Sequence, residues 1–166
     1  MRAKTRQAIM DAGLKLFAKK GYHGTSVADI AKEAGISKGL AYNYFKSKSD
    51  LAEAILFQSV EILNYYFNLF KEEKDPKRLL YLMITLTFKH LRENEEFWRL
   101  YTSFALQLEV SDKMKDLFSK IEKEFIDELA KIFRKLGIKN AKTEAYLLGA
   151  IFDGVSIDYL LNKEKY

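Results

Sequence analysis

The chain has 166 residues, 48% of them hydrophobic, with no cysteine and a formal charge of +5. That composition supports a packed core and excludes a disordered chain, disulfides and thiolate metal sites, and a membrane span, since no apolar run reaches about 18 residues. Residues 1–48 hold ten Lys/Arg against three Asp/Glu while 49–166 hold eighteen against twenty, so the N-terminal third is the part expected to meet a polyanion; a solvated basic surface is the alternative.

One proline and eight glycines leave few turns, and the wealth of Lys, Glu, Leu, Ile and Phe points to an all-α chain. The basic start Met1–Arg6 leads into an amphipathic stretch rather than a signal peptide, so a cytoplasmic protein is expected. Ile9, Ala12, Gly13, Leu16 and Phe17 recur at helical spacing and predict a helix over 3–20, stopped by Gly21. After the loop Tyr22-His23-Gly24, Ser26 with Asp29 reads as a capping box for a second helix, with Thr25 the other possible cap. Val27, Ile30, Ala31 and Ala34 form its inner face. Gly35 ends it, and Ser37 caps a third helix over 38–45. Two short helices joined by so tight a turn form a helix-turn-helix, although an ordinary helical hairpin has the same shape.

Ser47 with Asp50 opens a long helix over 48–72, with Leu51, Ile55, Ile62, Tyr66 and Leu69 inward. Asp75-Pro76 starts the next, ending near Arg92. Asn94-Glu95-Glu96 starts another, to Leu108. A seventh runs from Ser111 to Leu136, ended by Gly137, and an eighth from Ala141 to Leu161. The division expected is an N-terminal three-helix domain, 1–48, joined through the helix after Ser47 to a second helical domain, 49–166.

At about 100° per residue, Ala41 and Phe45 of the third helix share an inner side, with Ile36 and Ser37 near them. Gly39, Leu40, Tyr42 and Asn43, beside Lys38, then face outward. A DNA major groove can satisfy such a face: Asn pairs with adenine and an apolar side chain packs on a thymine methyl. Gly39 lets backbone approach closely. Thr25, Ser26, Ser37, Tyr42, Tyr44, Lys46 and Lys48 surround this face with phosphate-binding donors, which position the protein while base contacts specify.

The stretch GYHGTSVADIAKEAGISKGLAYNYFKSKSDL, with landmarks Gly21, Thr25, Val27, Ile30, Ala31, Gly35, Ser37, Gly39, Tyr42, Phe45, Ser47, Lys48 and Leu51, resembles the signature of the TetR family of repressors. The resemblance implies that Thr25, Ser37, Tyr42, Tyr44 and Lys48 hold phosphates while Lys38, Gly39 and Leu40 lie nearest the bases, with Asn43 beside them. Ala41 and Leu40 depart from the family's frequent Leu and Thr, and Tyr44 from its frequent His. The resemblance further implies a homodimeric repressor, released from a palindromic operator by a small-molecule effector, with a C-terminal ligand-binding and dimerisation domain.

For that domain the sequence offers two candidate sets. Phe118 and Phe125 of the seventh helix, with Ala145, Gly149 and Phe152 of the eighth, are expected at a two-fold interface, the small residues permitting close helix approach; an intramolecular core is the alternative. Tyr66, Phe70, Phe88, Trp98, Tyr101 and Phe104 are expected to line a pocket for a hydrophobic or amphipathic ligand, although aromatics at helical spacing also build plain cores. His90 reads as a surface or internally satisfied histidine, and Arg92 and Arg99 as anion-holding or solvated. With two histidines, no cysteine and no phosphate loop, neither catalysis, a metal site nor a cofactor is expected. A helical interaction module without DNA is the remaining rival, distinguished by the absence of salt-dependent duplex binding.

Overall fold

The computed structural model describes residues 2–58, 73–105 and 111–165, and these are helical, with no strand among them. In chain order the helices are α1 Arg2–Lys20, α2 Val27–Glu33, α3 Lys38–Tyr44, α4 over 48–58, α5 Pro76–Glu93, α6 Glu95–Ala105, α7 Asp112–Lys135 and α8 Ala141–Leu161, followed by a short 3-10 turn Lys163–Lys165. No helix among the described residues is long and apolar enough to cross a membrane.

Local chemistry sets most of these bounds. Ser26, Ser37 and Ser111 each accept a backbone N–H of the following turn, and Asp75 does so ahead of Pro76. Ser47 accepts the Asp50 N–H, but the Asp50 carboxylate takes the N–H of Lys46 rather than that of Ser47, so the expected capping box is closed one residue early. At the other ends, α2 and α7 close alike. Ile36 N–H reaches Ala31 O while Gly35 N–H reaches Lys32 O; Ile138 and Gly137 repeat the pattern on Phe133 and Arg134. This double closure requires a left-handed residue just past the helix, and Gly35 and Gly137 sit at φ +68° and +79°.

By packing the chain forms two compact units, Met1–Glu61 with Glu96–Glu109, and Ile62–Glu95 with Val110–Tyr166. In the first, α1 buries Ile9, Met10, Ala12, Leu16 and Phe17, and its Gly13 lies against Leu51 and Ile55 of α4. Phe97, Leu100 and Phe104 form the buried side of α6. In the second, α7 and α8 pack along their length and α5 packs on α7. The core there joins Leu79, Met83, Ile126, Leu129, Ala130, Ile132, Phe133, Ala141 and Ala145. Packing thus groups α4 and α6 with the first three helices, whereas the division at residue 48 expected from the sequence concerns roles.

Candidate nucleic-acid interface

The turn between α2 and α3 has no slack. Gly35 and Ile36 finish closing α2, and Ser37 is already the cap of α3, its hydroxyl oxygen accepting the Leu40 N–H at 3.2 Å. Ala41 and Phe45 anchor α3 inward, at 1% and 4% exposure. Everything else on α3 turns out: Lys38, Gly39, Leu40, Tyr42 and Asn43 are exposed and Tyr44 is half-buried. Ser37 is exposed as well, not inward as its helical position suggested, because an N-cap residue lies outside the helical path. Lys38 Nζ stands 5.9 Å from the centroid of the Tyr42 ring, which joins the two on one side of the face. The helix contains no carboxylate.

Behind α3, the loop before α2 is locked from two sides. Thr25 is only 2% exposed, and its hydroxyl donates to Gly21 O at 2.8 Å, with Leu16 O at 3.2 Å. The expected phosphate donor is therefore an internal tie: its single proton is engaged on backbone carbonyls. Lys48 donates two of its three N–H bonds to Tyr22 O at 2.7 Å and Thr25 O at 2.9 Å, with its ammonium 4.3 Å from the Tyr22 ring centroid. It clamps α4 to the start of α2 and stays half-buried. Ser26 is exposed, but its hydroxyl donates to the Asp29 carboxylate at 2.6 Å. That bond and the Ser26 N–H hold the Asp29 carboxyl below its ordinary range. Of the residues singled out in the sequence, Ser37, Lys38, Gly39, Leu40, Tyr42 and Asn43 form one accessible patch, whereas Thr25, Ser26 and Lys48 are engaged by partners within the protein.

One residue was missed. Tyr22, placed in a plain loop by the sequence, packs its ring on Phe17 at 5.4 Å and edge-on to Phe104 at 4.7 Å. Burial raises its phenol above the ordinary tyrosine value. An aromatic just after a helix-stopping glycine was the only available signal.

The same contact places one residue of the effector set. Phe104 is 3% exposed and packs beneath Tyr22. Trp98 and Tyr101 are half-buried, their rings edge to face at 5.5 Å beside Phe97. Phe88 belongs to the other unit, 5.4 Å from Phe152. Tyr66 and Phe70 lie outside the described residues.

Residues of the dimerisation set lie mostly in the seam between α7 and α8 of one chain. Ala145 and Phe152 are 0% and 5% exposed within one chain, and a methyl group on Gly149 would stand 3.0 Å from Ile126 Cδ1. All three face α7, and Phe125 completes that seam edge-on to Phe152 at 5.6 Å. Phe118 is half-buried on α7. The apolar and small residues α8 turns outward are Tyr146, Leu147, Ala150, Ile151, Gly154 and Leu161, with Leu147 and Ile151 55% and 58% exposed, beside the exposed Lys142, Thr143, Glu144 and Asp153. α8 is apolar on both sides, so periodicity alone did not separate the seam from the outer face.

Comparison with known proteins covers both parts of the chain. The family described as bacterial regulatory proteins, tetR family, matches residues 9–55, and the family described as BetI-type transcriptional repressor, C-terminal, matches residues 76–166. The HTH-type transcriptional regulator YuxN of Bacillus subtilis is 32% identical over 92% of this chain, which spans 52% of that relative, about half its length. Two solved structures share the fold at 23% identity. A Saccharomonospora viridis transcriptional regulator in complex with choline has TM-score 0.84, covering 97% of this chain and 88% of its own. The transcriptional regulator FadR of Bacillus subtilis in complex with stearoyl-CoA has TM-score 0.80, covering 96% and 89%.

Proposed function

Because this chain belongs to the TetR family of transcriptional regulators, we propose that it binds double-stranded DNA as a homodimer and represses transcription until a small-molecule effector releases it. The observation that carries this reading is the outward face of α3, which offers apolar, amide and cationic groups and no carboxylate. In a major groove, Asn43 pairs with adenine, Leu40 covers a thymine methyl and Lys38 reaches a guanine edge or a phosphate. Ser37 and Tyr42 donate to phosphates, and Tyr44 and Lys46 flank them. Thr25 and Lys48 act one step back, fixing the start of α2 and with it the aim of α3. Residues 1–48 carry this recognition, and residues 49–166 carry effector binding and dimerisation. The chain is read as a cytoplasmic regulator and not as a catalyst.

One short helix makes few contacts, so recognition requires two, about 34–36 Å apart on one side of the duplex. The outer face of α8 supplies the pairing surface. A helix apolar on both sides needs a second partner besides α7, and a two-fold axis brings the same face of another copy onto it. The effector is expected to be hydrophobic or amphipathic, with the half-buried aromatic pair Trp98 and Tyr101 a candidate contact. The two structures that share the fold hold ligands as unlike as choline and stearoyl-CoA. Release follows if it is bound better by one spacing of the paired recognition helices than by another.

Selection of bound duplexes from a random pool tests the reading. Enrichment of an inverted repeat, with half-sites about 10–10.5 base pairs apart from centre to centre, is the expected result. A pool that stays random in dilute salt overturns it.

A further inference from the structure

The guanidinium of Arg6 lies over the ring of Phe45, 5.1 Å from its centroid, and its Nη1 donates to Met10 Sδ at 3.0 Å. Both anchors belong to the core, Phe45 at 4% exposure and Met10 at 2%. Phe45 is also the C-cap of α3, its N–H donating to Ala41 O. Arg6, far away in sequence, therefore stands at the C-terminal end of the recognition helix. It is exposed there, and no carboxylate pairs with it among the described residues, whereas Lys15 on the same helix is bridged to Glu33.

The nearby Asp50 carboxylate is engaged by the Lys46 N–H at 3.0 Å, and the charged residues of the first turn of α1 are all cations. Lys46, next to Phe45, is exposed, as are Arg2 and Lys4. The first turn of α1 has no acidic residue, although the helix dipole favours one. Stacking on Phe45 and the bond to Met10 also restrict the guanidinium, so its remaining N–H groups are already oriented. A restricted planar fork loses less freedom on meeting a phosphate than a free lysine does.

We infer that Arg6 contacts a DNA phosphate at the C-terminal edge of α3, extending the interface beyond the helix-turn-helix to the first helix. This rests on the DNA-binding reading above. The contact is to backbone and carries no sequence preference. It anchors the end of α3 opposite Ser37, so that α3 is held to the duplex at both ends.

The test is the salt dependence of binding. Wild type, Arg6→Met and Arg6→Lys are titrated against a duplex recovered from the random pool and against an unrelated duplex of equal length, with thermal melts in parallel. Arg6→Met keeps an unbranched apolar stem on Phe45 and removes the charge. It is expected to lower the slope of log affinity against log salt by about 0.9 per protomer and to weaken both duplexes alike. Arg6→Lys is expected to retain the slope. A wild-type slope in Arg6→Met, even with a lowered melting temperature, reduces Arg6 to a packing residue and overturns the inference alone. A wild-type chain that binds neither duplex overturns the DNA-binding reading and this inference with it.

Discussion

A methyl group at Gly39 would touch nothing in the protein. The position lies in the first turn of α3 and is exposed, where glycine is a poorer helix former than alanine. Neither packing nor a positive φ inside the chain calls for glycine there, and the DNA-binding proposal gives it a use in close approach to the duplex. Gly39→Ala is therefore expected to leave the fold as stable as wild type or more so, and to weaken duplex binding; a gain in stability with unchanged affinity removes Gly39 from the interface. Thr25 presents the reverse case. Its hydroxyl is buried and tied to Gly21 and Leu16 carbonyls, so Thr25→Val should lower unfolding stability by about 1–3 kcal/mol, the cost of leaving a buried acceptor unsatisfied. Thr25→Ser keeps the donor and should recover much of that in chemical denaturation. If Thr25→Val is neutral for stability and harmful only to DNA affinity, the hydroxyl serves phosphate after all.

Helix by helix, the signals that were legible were the local ones. Caps at Ser26, Ser37, Asp75 and Ser111 and stops at Gly35 and Gly137 fix where chains of hydrogen bonds begin and end, and these act within a few residues. The outward face of α3 was legible for the same reason, because seven residues anchored inward by Ala41 and by the C-cap Phe45 leave little choice. What escaped the sequence were pairings between distant helices: Arg6 on Phe45, Tyr22 on Phe104, and the choice of α8 face given to α7. Such choices depend on how helices dock, and a doubly apolar helix such as α8 offers two equivalent answers. His90 in α5 is another feature that only packing decides. It is 4% exposed, and burial lowers its pKa from the ordinary 6.5, outweighing the upward pull of Glu93. The folded chain thus keeps it neutral while the unfolded chain takes a proton below about 6.5, so its contribution is intact above that pH and declines as pH falls toward the lowered value. The stability difference between wild type and His90→Gln should be flat above pH 7 and shift against wild type between about pH 6.5 and 5. A difference that does not move with pH contradicts a buried neutral imidazole.

For the whole molecule, the question is what covers the outer side of α8. Tyr146, Leu147, Ile151 and Leu161 are exposed on a helix whose opposite side is already sealed on α7. Large apolar side chains gathered on one surface mark an interface, and Ala150 and Gly154 between them leave room for a second helix to come close. The two sides of α8 make opposite predictions. Ile151→Glu places a charge on the outer side, where it costs the single chain little, and two-fold symmetry would set two such charges against each other. It should yield a folded monomer by sedimentation, and operator affinity should fall by about 100-fold or more as two linked half-sites become one. Phe152→Ala, one residue on, empties the seam against Phe125 and Phe88. It should lower thermal stability, by about 3–5 kcal/mol, without first dissociating the dimer. If Ile151→Glu sediments as wild type and binds the selected duplex as well, α8 pairs nothing through this side and the recognition helices are held together elsewhere.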